Sequence, residues 1–477
     1  MTDSGAGTGT GTGTGPTRAP SFSHALVCFS GVMIILAAGF QFLQINSHSL
    51  LFVCVLWVCC NAYVLGADFA TIKAAMTSGL ERGMSIIYIF ILIGVLVAAF
   101  IESGTIASIV YYAFDMVHPA LFLPAGLLLC SFMSVATGTS WGTVGTVGLI
   151  LMGIGSALQI PLPLIAGMVI SGAIFGDKMS PVSDTTNLAA TCAGADLYGH
   201  IRAMLYTTVP SYLICMALFT WAGLEYGQGQ LSAAEISLFK GGLSEIFAIS
   251  PWTFVPLLVL LTLSIRGVAP EPCMVASIVV AAILAMILQG RDFSDLMASL
   301  QGGYIISSGQ ENIDTLLNKG GIQSMMWTLS LSLLAFALGG LMHAFDFLTV
   351  LLRGILSRIQ AAATLMTTTI VACFVGNMTL GDSYLSIIMG CQVFKEKYQQ
   401  QGLQSRLLSR CVEEGGTLTT SLVPWSPSAA FYYSILGVTA WEYAPFVLLA
   451  LVNPLLSIVL AYLGLGVLRQ ANQEVRP

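Results

Sequence analysis

Apolar stretches of about twenty residues recur along the chain without a single charge. They run from Phe22 to Leu43, Ser49 to Ala67, Met84 to Ile101, Ala203 to Leu224, Ile246 to Ile265, Gly415 to Trp441 and Tyr443 to Leu468. A helix needs about 20 apolar residues to cross the ~30 Å hydrocarbon core of a bilayer. The longest uncharged run, Met116 to Gly176, contains no Asp, Glu, Lys or Arg and accommodates more than one crossing. This pattern predicts an all-α polytopic membrane protein of roughly 11 to 13 membrane segments.

Composition agrees with the pattern. Charged residues are 8% of the 477 and hydrophobic residues 56%, against ~25% charged in ordinary soluble proteins. So few charges cannot coat a particle of this size in water, and the lipid bilayer replaces water over much of its surface. The net charge of −6 supplies no cationic surface for nucleic acid. The 11 cysteines sit mostly inside apolar runs, without a CxxC pair, and are expected to be small buried residues rather than disulfides or metal ligands. Residues 1–20 open with Gly-Thr alternation and close with Pro-Thr-Arg-Ala-Pro, a composition expected to form a disordered tail. The first apolar segment follows without a clear cleavage site and is taken as a retained span.

The chain aligns with itself. At an offset of 243, Gly138-Thr139-Ser140-Trp141 falls on Gly381-Asp382-Ser383-Tyr384, Gly172 on Gly415 and Gly194 on Gly437. The block from Pro181 to Thr185 falls on Pro424 to Ser428. Earlier in the chain the offset is 224, placing Gly66-Ala67-Asp68-Phe69 on Gly290-Arg291-Asp292-Phe293 and Gly79 on Gly303. The difference puts the extra residues of the second half near Tyr304 to Ile322. These matches predict two membrane repeats, 21–245 and 246–477. No Lys or Arg lies between Arg82 and Lys178, whereas the matched part of the second half carries Arg353, Arg358, Lys395, Lys397, Arg406 and Arg410. Because cytoplasmic loops attract cations, equivalent loops are expected on opposite sides of the membrane: an inverted-topology repeat with broken or re-entrant helices, its site where the repeats meet.

Each half holds two interrupted regions. In the first, Ala136 to Thr143 stacks Gly, Thr and Ser inside an apolar run. Freed backbone at that depth must line a cavity or be buried in protein; the alternative is close helix packing over small residues. In the second, Gly176 to Asn187, Pro181 removes a donor and disfavours helix at Ser180. Either this block is re-entrant or it is a polar loop between spans. If re-entrant, oxygens from Ser183, Asp184, Thr185, Thr186 and Asn187 form a hard donor set suited to Na⁺ rather than to a transition metal, with Na⁺ placed on Ser183, Asp184, Thr186 and Asn187. Thr139 and Ser140 in the first break, and Asp382, Ser383, Ser426 and Ser428 in the second half, complete the candidate ion-binding set.

Carboxylates beside these breaks are candidate proton carriers, since intramembrane acids need a cavity or a partner. Asp184 ranks first and Asp382 second, because neither has a cation within two residues. Asp177, beside Lys178, and Glu413, near Arg410, follow; the Asp177–Lys178 neighbours offer a structural pair, and Glu413-Glu414 offer a wet loop. The five histidines, His24, His48, His118, His200 and His343, look peripheral and receive no role.

The stretches Gly138 to Thr143, Gly176 to Ala189 and Glu413 to Thr417 leading into Val423-Pro424-Trp425 resemble the NhaC family of Na⁺/H⁺ antiporters. The resemblance covers nearly the whole chain beyond residue 20. It implies a member of the ion-transporter superfamily with a scaffold part and a mobile part, often a homodimer, in a bacterial cytoplasmic membrane. Where the family pattern often places Asn after Pro-Trp, this chain has Ser426-Pro427-Ser428. The expected activity is secondary active exchange of Na⁺ for H⁺ by alternating access, with no cofactor. Relatives in the family exchange malate and lactate with coupled Na⁺ and H⁺, so exchange of a small carboxylate is the second expectation, with Arg202 as its nearest cationic candidate. No HExxH, GxxxxGK[ST] or intramembrane aspartyl-protease pattern occurs, so neither a membrane enzyme nor ATP drive is expected.

Overall fold

The computed structural model describes residues 18–116, 118–226 and 233–469. Of the expected tail, residues 1–17 lie outside the described residues. All regular elements among the described residues are helical. The first half runs α1 (Phe22–Gln41), α2 (Ser47–Val64), α3 (Phe69–Arg82), α4 (Met84–Glu102), α5 (Thr105–Met116), α6 (Phe122–Thr137), α7 (Ser140–Thr143), α8 (Leu149–Ala157), α9 (Leu162–Met179), α10 (Asp184–Ala193) and α11 (Leu197–Tyr226). After α12 (Ala233–Ile246), the second runs α13 (Val255–Ile265), α14 (Pro270–Leu288), α15 (Phe293–Gly302), α16 (Glu311–Leu317), α17 (Ile322–Ala344), α18 (Phe347–Leu356), α19 (Ala362–Leu380), α20 (Ser383–Gln400), α21 (Ser405–Gly416), α22 (Pro427–Leu436), α23 (Ala440–Tyr443) and α24 (Leu448–Tyr462).

Nine described helices are long and apolar enough to cross a membrane, or up to 11 if two bent pairs each count as one span. The lower end of the expected range is therefore met only with the bent pairs. The stretch from Ile246 to Ile265 is not one helix: Ile246 ends α12, and an 85° bend separates α12 from the helical segment that starts at Pro251, where Ser250 caps the turn. The stretch from Gly415 to Trp441 is not one either. It holds the end of α21, a short 3₁₀ turn at Thr419–Leu422, and α22. Pro424 and Pro427 cannot donate to a continuous helix, which accounts for the interruption. A ten-residue helix such as α10 or α22 rises only about 15 Å, half a bilayer.

Residues matched by the sequence offset share backbone conformation. Gly138 and Gly381 end α6 and α19 with φ of 71° and 67°, left-handed conformations that glycine takes without steric cost. Thr139 and Asp382 follow as N-caps at φ −145°, ψ 127° and φ −148°, ψ 138°. Ser183 and Ser426 precede α10 and α22 in extended conformation, and Gly194 and Gly437 end those helices at φ 76° and 75°. A matched tether holds each half: Ser134 Oγ donates to the Ala173 carbonyl at 2.5 Å, and Asn377 Nδ2 to the Gly416 carbonyl at 2.6 Å. In the earlier block, Asp68 and Asp292 both cap the helix that follows.

Ala189 and Ala193 of α10 pack into the apolar cluster built on α1, α2 and α17 to α21. Phe431, Tyr432, Ile435 and Leu436 of α22 pack into the cluster built on α4 to α6, α8 and α9. The two short helices thus lie mainly in different clusters, α10 beside α17 to α21 and α22 beside α4 to α9. The extra residues near Tyr304 to Ile322 form a compact loop around α16, closed by the Tyr304 amide on the Lys319 carbonyl and by Asn318 pairing with both backbone groups of Ile306.

Candidate functional site

The interruptions converge. A cavity of about 280 Å³ is lined by residues from the break after α6, the break after α9, the start of α20 and the turn between α21 and α22. It opens beside the loop joining α13 to α14, at Gly267 to Pro270. Five matched pairs line it together: Ser140 with Ser383, Trp141 with Tyr384, Ile174 with Thr417, Asp177 with Thr420, and Thr185 with Ser428. Each member of a pair stands 243 residues from the other, so the cavity lies where the two halves face each other. Trp141, on the wall, is backed by a ring stack: it lies 5.0 Å from Phe90 and 5.4 Å from Phe431, with all three planes nearly parallel.

Asp177 is the chemical centre. Ser140 Oγ donates to its Oδ2 at 2.7 Å, and Ser183 Oγ donates to its Oδ1 at 2.6 Å. One donor comes from the break after α6 and the other from the break after α9, so the carboxylate pins two interrupted helices together. Hydrogen bonds to an ionised acceptor are the stronger class. The Ser183 hydroxyl lies 3.2 Å from that of Thr185, which continues the polar surface along α10. With Thr137, Thr139, Thr417, Thr420 and Tyr432 also on the wall, the site offers hydroxyl and carboxylate oxygens. Among the described residues no Lys, Arg or His lines it.

Of the residues singled out in the sequence, Thr139, Ser140, Asp177, Asp184, Thr185, Ser383 and Ser428 line the cavity. Asp184 stands exposed at its mouth, beside exposed Val182. Ser183 stands behind the wall and reaches the site through Asp177. Thr186, Asn187, Asp382, Ser426 and Glu413 do not line it. The Thr186 hydroxyl donates to the carbonyls of Asp177 and Lys178, and the Asn187 amide donates to those of Pro181 and Ser183; both brace the break. Asp382 accepts from the Leu385 amide at 3.4 Å as the cap of α20, and Ser426 caps α22 while donating to the Thr420 carbonyl. Arg202 is exposed and away from the cavity.

Three further expectations need correction. Lys178 does not pair with Asp177: its Nζ donates to Asn453 Oδ1 at 3.0 Å and stands 3.8 Å from Glu414. Successive residues on a helix point to different faces, so adjacency in sequence was no evidence of pairing. Glu413 and Glu414 are not a wet loop; both are fully buried on α21. His200 is not peripheral but fully buried, with Nδ1 2.8 Å from Ser409 Oγ.

Sequence reading missed Thr417, Thr420, Tyr384 and Tyr432. The signal for the first three was present, since adding 243 to Ile174, Asp177 and Trp141 lands on them. Tyr432 faces Ala189 in that alignment, and nothing in the sequence distinguished it. The described cysteines are all free, and among the described residues no group of three His, Cys, Asp or Glu is placed to hold a metal ion.

Comparison with known proteins agrees with this geometry. A model of the Na⁺/H⁺ antiporter family matches residues 19–196 and 172–465. The Na⁺/H⁺ antiporter NhaC of Alkalihalophilus pseudofirmus is 35% identical over 443 residues, 93% of this chain and 96% of that protein. The malate-2H⁺/Na⁺-lactate antiporter of Bacillus subtilis is 34% identical over 460 residues, 96% of this chain and 98% of that protein. The arginine/ornithine antiporter ArcD of Halobacterium salinarum is 30% identical over 452 residues, 94% and 93% of the two chains. All three are antiporters. With the family model and these relatives spanning nearly its whole length, the chain belongs to the NhaC-type Na⁺/H⁺ antiporter family.

Proposed function

We propose that this protein is a secondary active transporter that exchanges Na⁺ for H⁺ by alternating access. The observation that carries this reading is the cavity itself: a hydroxyl-lined space with carboxylates at Asp177 and Asp184 and, among the described residues, no cationic side chain on its wall. Hard oxygen donors of this kind suit an alkali cation. Asp177, Ser140, Thr185 and the hydroxyls contributed by the second half hold Na⁺, while Ser183 orients Asp177 and Asp184 draws the cation to the mouth. Na⁺ and H⁺ compete for Asp177, because a carboxylate that holds one does not hold the other. The broken helices supply the mobile part: the interrupted backbone lets the short helices tilt against the scaffold without unwinding long spans.

The repeats run 21–245 and 246–477 with inverted topology. The matched cavity residues support this, since a two-fold relation about an axis in the membrane plane makes inward-open and outward-open forms near mirror images in energy. The protein sits in a bacterial cytoplasmic membrane and assembles as a homodimer.

A second reading is exchange of a small carboxylate coupled to Na⁺ and H⁺. The volume of about 280 Å³ favours it, being far more than one ion fills, since a water molecule takes about 30 Å³ of liquid. Against it stands the wall chemistry, which sets two carboxylates and no cation before an anion. The test is purified protein in vesicles carrying an internal pH dye. Proton movement on addition of Na⁺ alone supports cation exchange. A strict requirement for malate or lactate overturns it in favour of the second reading.

A further inference from the structure

Behind the cavity, away from its mouth, lies a cluster of charged side chains with no solvent contact. Lys178, Glu413 and Glu414 are 0% exposed and Arg410 1%. Lys178 Nζ and Arg410 Nε each stand 3.8 Å from Glu414 Oε1. Thr417, which also lines the cavity, donates to Glu413 Oε1 at 2.8 Å. The second oxygens of Glu413 and Glu414 have no hydrogen-bond partner. Burying ions is expensive unless they are paired, so such a cluster is held for its charge.

Two observations tie that charge to the transport site. The first is sequence adjacency through a rigid turn: Lys178 directly follows Asp177 at the end of α9, so any movement of the break carries both. The second is broken symmetry. At the offset of 243, Lys178 matches Ser421, and Arg410, Glu413 and Glu414 match Gly167, Ile170 and Ser171. The cavity wall is paired between halves, yet none of these four charges has a charged counterpart. Counting Asp177 with them, three acids face two bases. Carboxyl groups thus outnumber bases by one in this part of the interior.

We propose that Lys178 is a charge-setting residue for ion exchange, its ammonium balanced against Glu414 so that the site around Asp177 both binds and releases a monovalent cation. This rests on the reading of the cavity as a cation site. Lys178 touches no transported ion; it acts on Asp177 through the field of the cluster and through its anchor on Asn453 of α24. Removing Lys178 makes the interior more negative, so Na⁺ is held more tightly and released more slowly. Removing the charge of Glu414 does the opposite.

The experiment measures Na⁺-dependent proton movement in pH-dye vesicles for wild type, Lys178→Met, Glu414→Gln and the double variant. At an effective dielectric near 20 a unit charge about 10 Å away changes affinity by about tenfold or more. Lys178→Met is expected to lower the apparent KM for Na⁺ by about that factor and to lower kcat. Glu414→Gln is expected to raise KM, and the double variant to return it towards wild type. A merely structural cluster predicts losses of one sign that accumulate, and that pattern overturns the proposal. If Lys178→Met does not fold, Lys178→Gln, which keeps a donor for Asn453, takes its place: a lowered KM supports the proposal and an unchanged or raised KM overturns it. Wild-type protein that moves no protons in response to Na⁺ fails the reading of the cavity, and the proposal with it; wild type that responds while the variants share its KM fails the proposal only.

Discussion

Ser183 Oγ donates to Asp177 Oδ1 at 2.6 Å across the break between α9 and α10. That bond makes the geometry of the break and the position of the carboxylate one variable. Asp177→Asn removes the charge that holds Na⁺ and is expected to reduce Na⁺-driven proton movement by a hundredfold or more, as about 4 kcal/mol of attraction at 4 Å is lost. Ser183→Ala removes one hydrogen bond to a charged group, worth about 1.5–3 kcal/mol, and is expected to raise the apparent KM by about tenfold or more. Both are read in pH-dye vesicles; undiminished exchange in Asp177→Asn would place the ion site elsewhere.

Asp184 and Asp382 separate by position. Asp184 is exposed at the cavity mouth, so Asp184→Asn should weaken Na⁺ capture by a few-fold, an effect that fades as salt screens it. Asp382 caps α20. Asn caps as well as Asp, so Asp382→Asn should keep both transport and melting temperature, whereas Asp382→Ala should lose about 0.5–2 kcal/mol of stability. A transport-dead but stable Asp382→Asn would give that carboxylate a chemical role.

Gly176 and Gly415 are places where two helices touch backbone to backbone. A Cβ on Gly176 would stand 2.3 Å from the Val135 amide nitrogen, and one on Gly415 would stand 2.2 Å from the Ile370 carbonyl oxygen. Neither neighbour is a flexible side-chain end. Val at either position is expected to cost several kcal/mol and to abolish monodisperse protein in detergent. Gly241, on α12, has open space at its Cβ position and no positive φ, and Gly241→Ala should leave stability unchanged or slightly raised. Fluorescence-detected size exclusion with a thermal ramp distinguishes them.

Topology is tested by labelling. Pro161 and Gln404 precede α9 and α21 and match at the offset of 243. With native cysteines replaced, Pro161→Cys and Gln404→Cys should react with an impermeant maleimide from opposite sides of the membrane. Labelling from one side would contradict the inverted repeat.

Much of this molecule is legible without its fold. Spans such as α1, α2 and α4 follow from uncharged apolar length, because lipid admits no other solution for their backbone. The breaks follow from Gly138, Pro181, Gly381 and Pro424, since glycine and proline act on the residues beside them. The matched halves follow because their pattern lies along one line of text. Local rules reach this far and no further.

Which carboxylate matters was decided in three dimensions. Sequence favoured Asp184 and Asp382 for lacking a neighbouring cation, yet Asp177 holds the two hydroxyl bonds. Its neighbour Lys178 turns to Glu414 and Asn453, both more than two hundred positions away in the chain. The direction of a side chain depends on helix phase and on what packs against each face, and neither is written in adjacency. The placement of α10 and α22 in different apolar clusters, the buried side chains of α21 and the place of Tyr432 on the cavity wall have the same origin. Sequence by itself determined that the chain is a polytopic helical membrane protein and where its helices break, because those depend on a residue and its near neighbours. The tertiary structure alone decided which broken ends meet and which charges face the cavity, because those depend on contacts between residues the chain holds far apart.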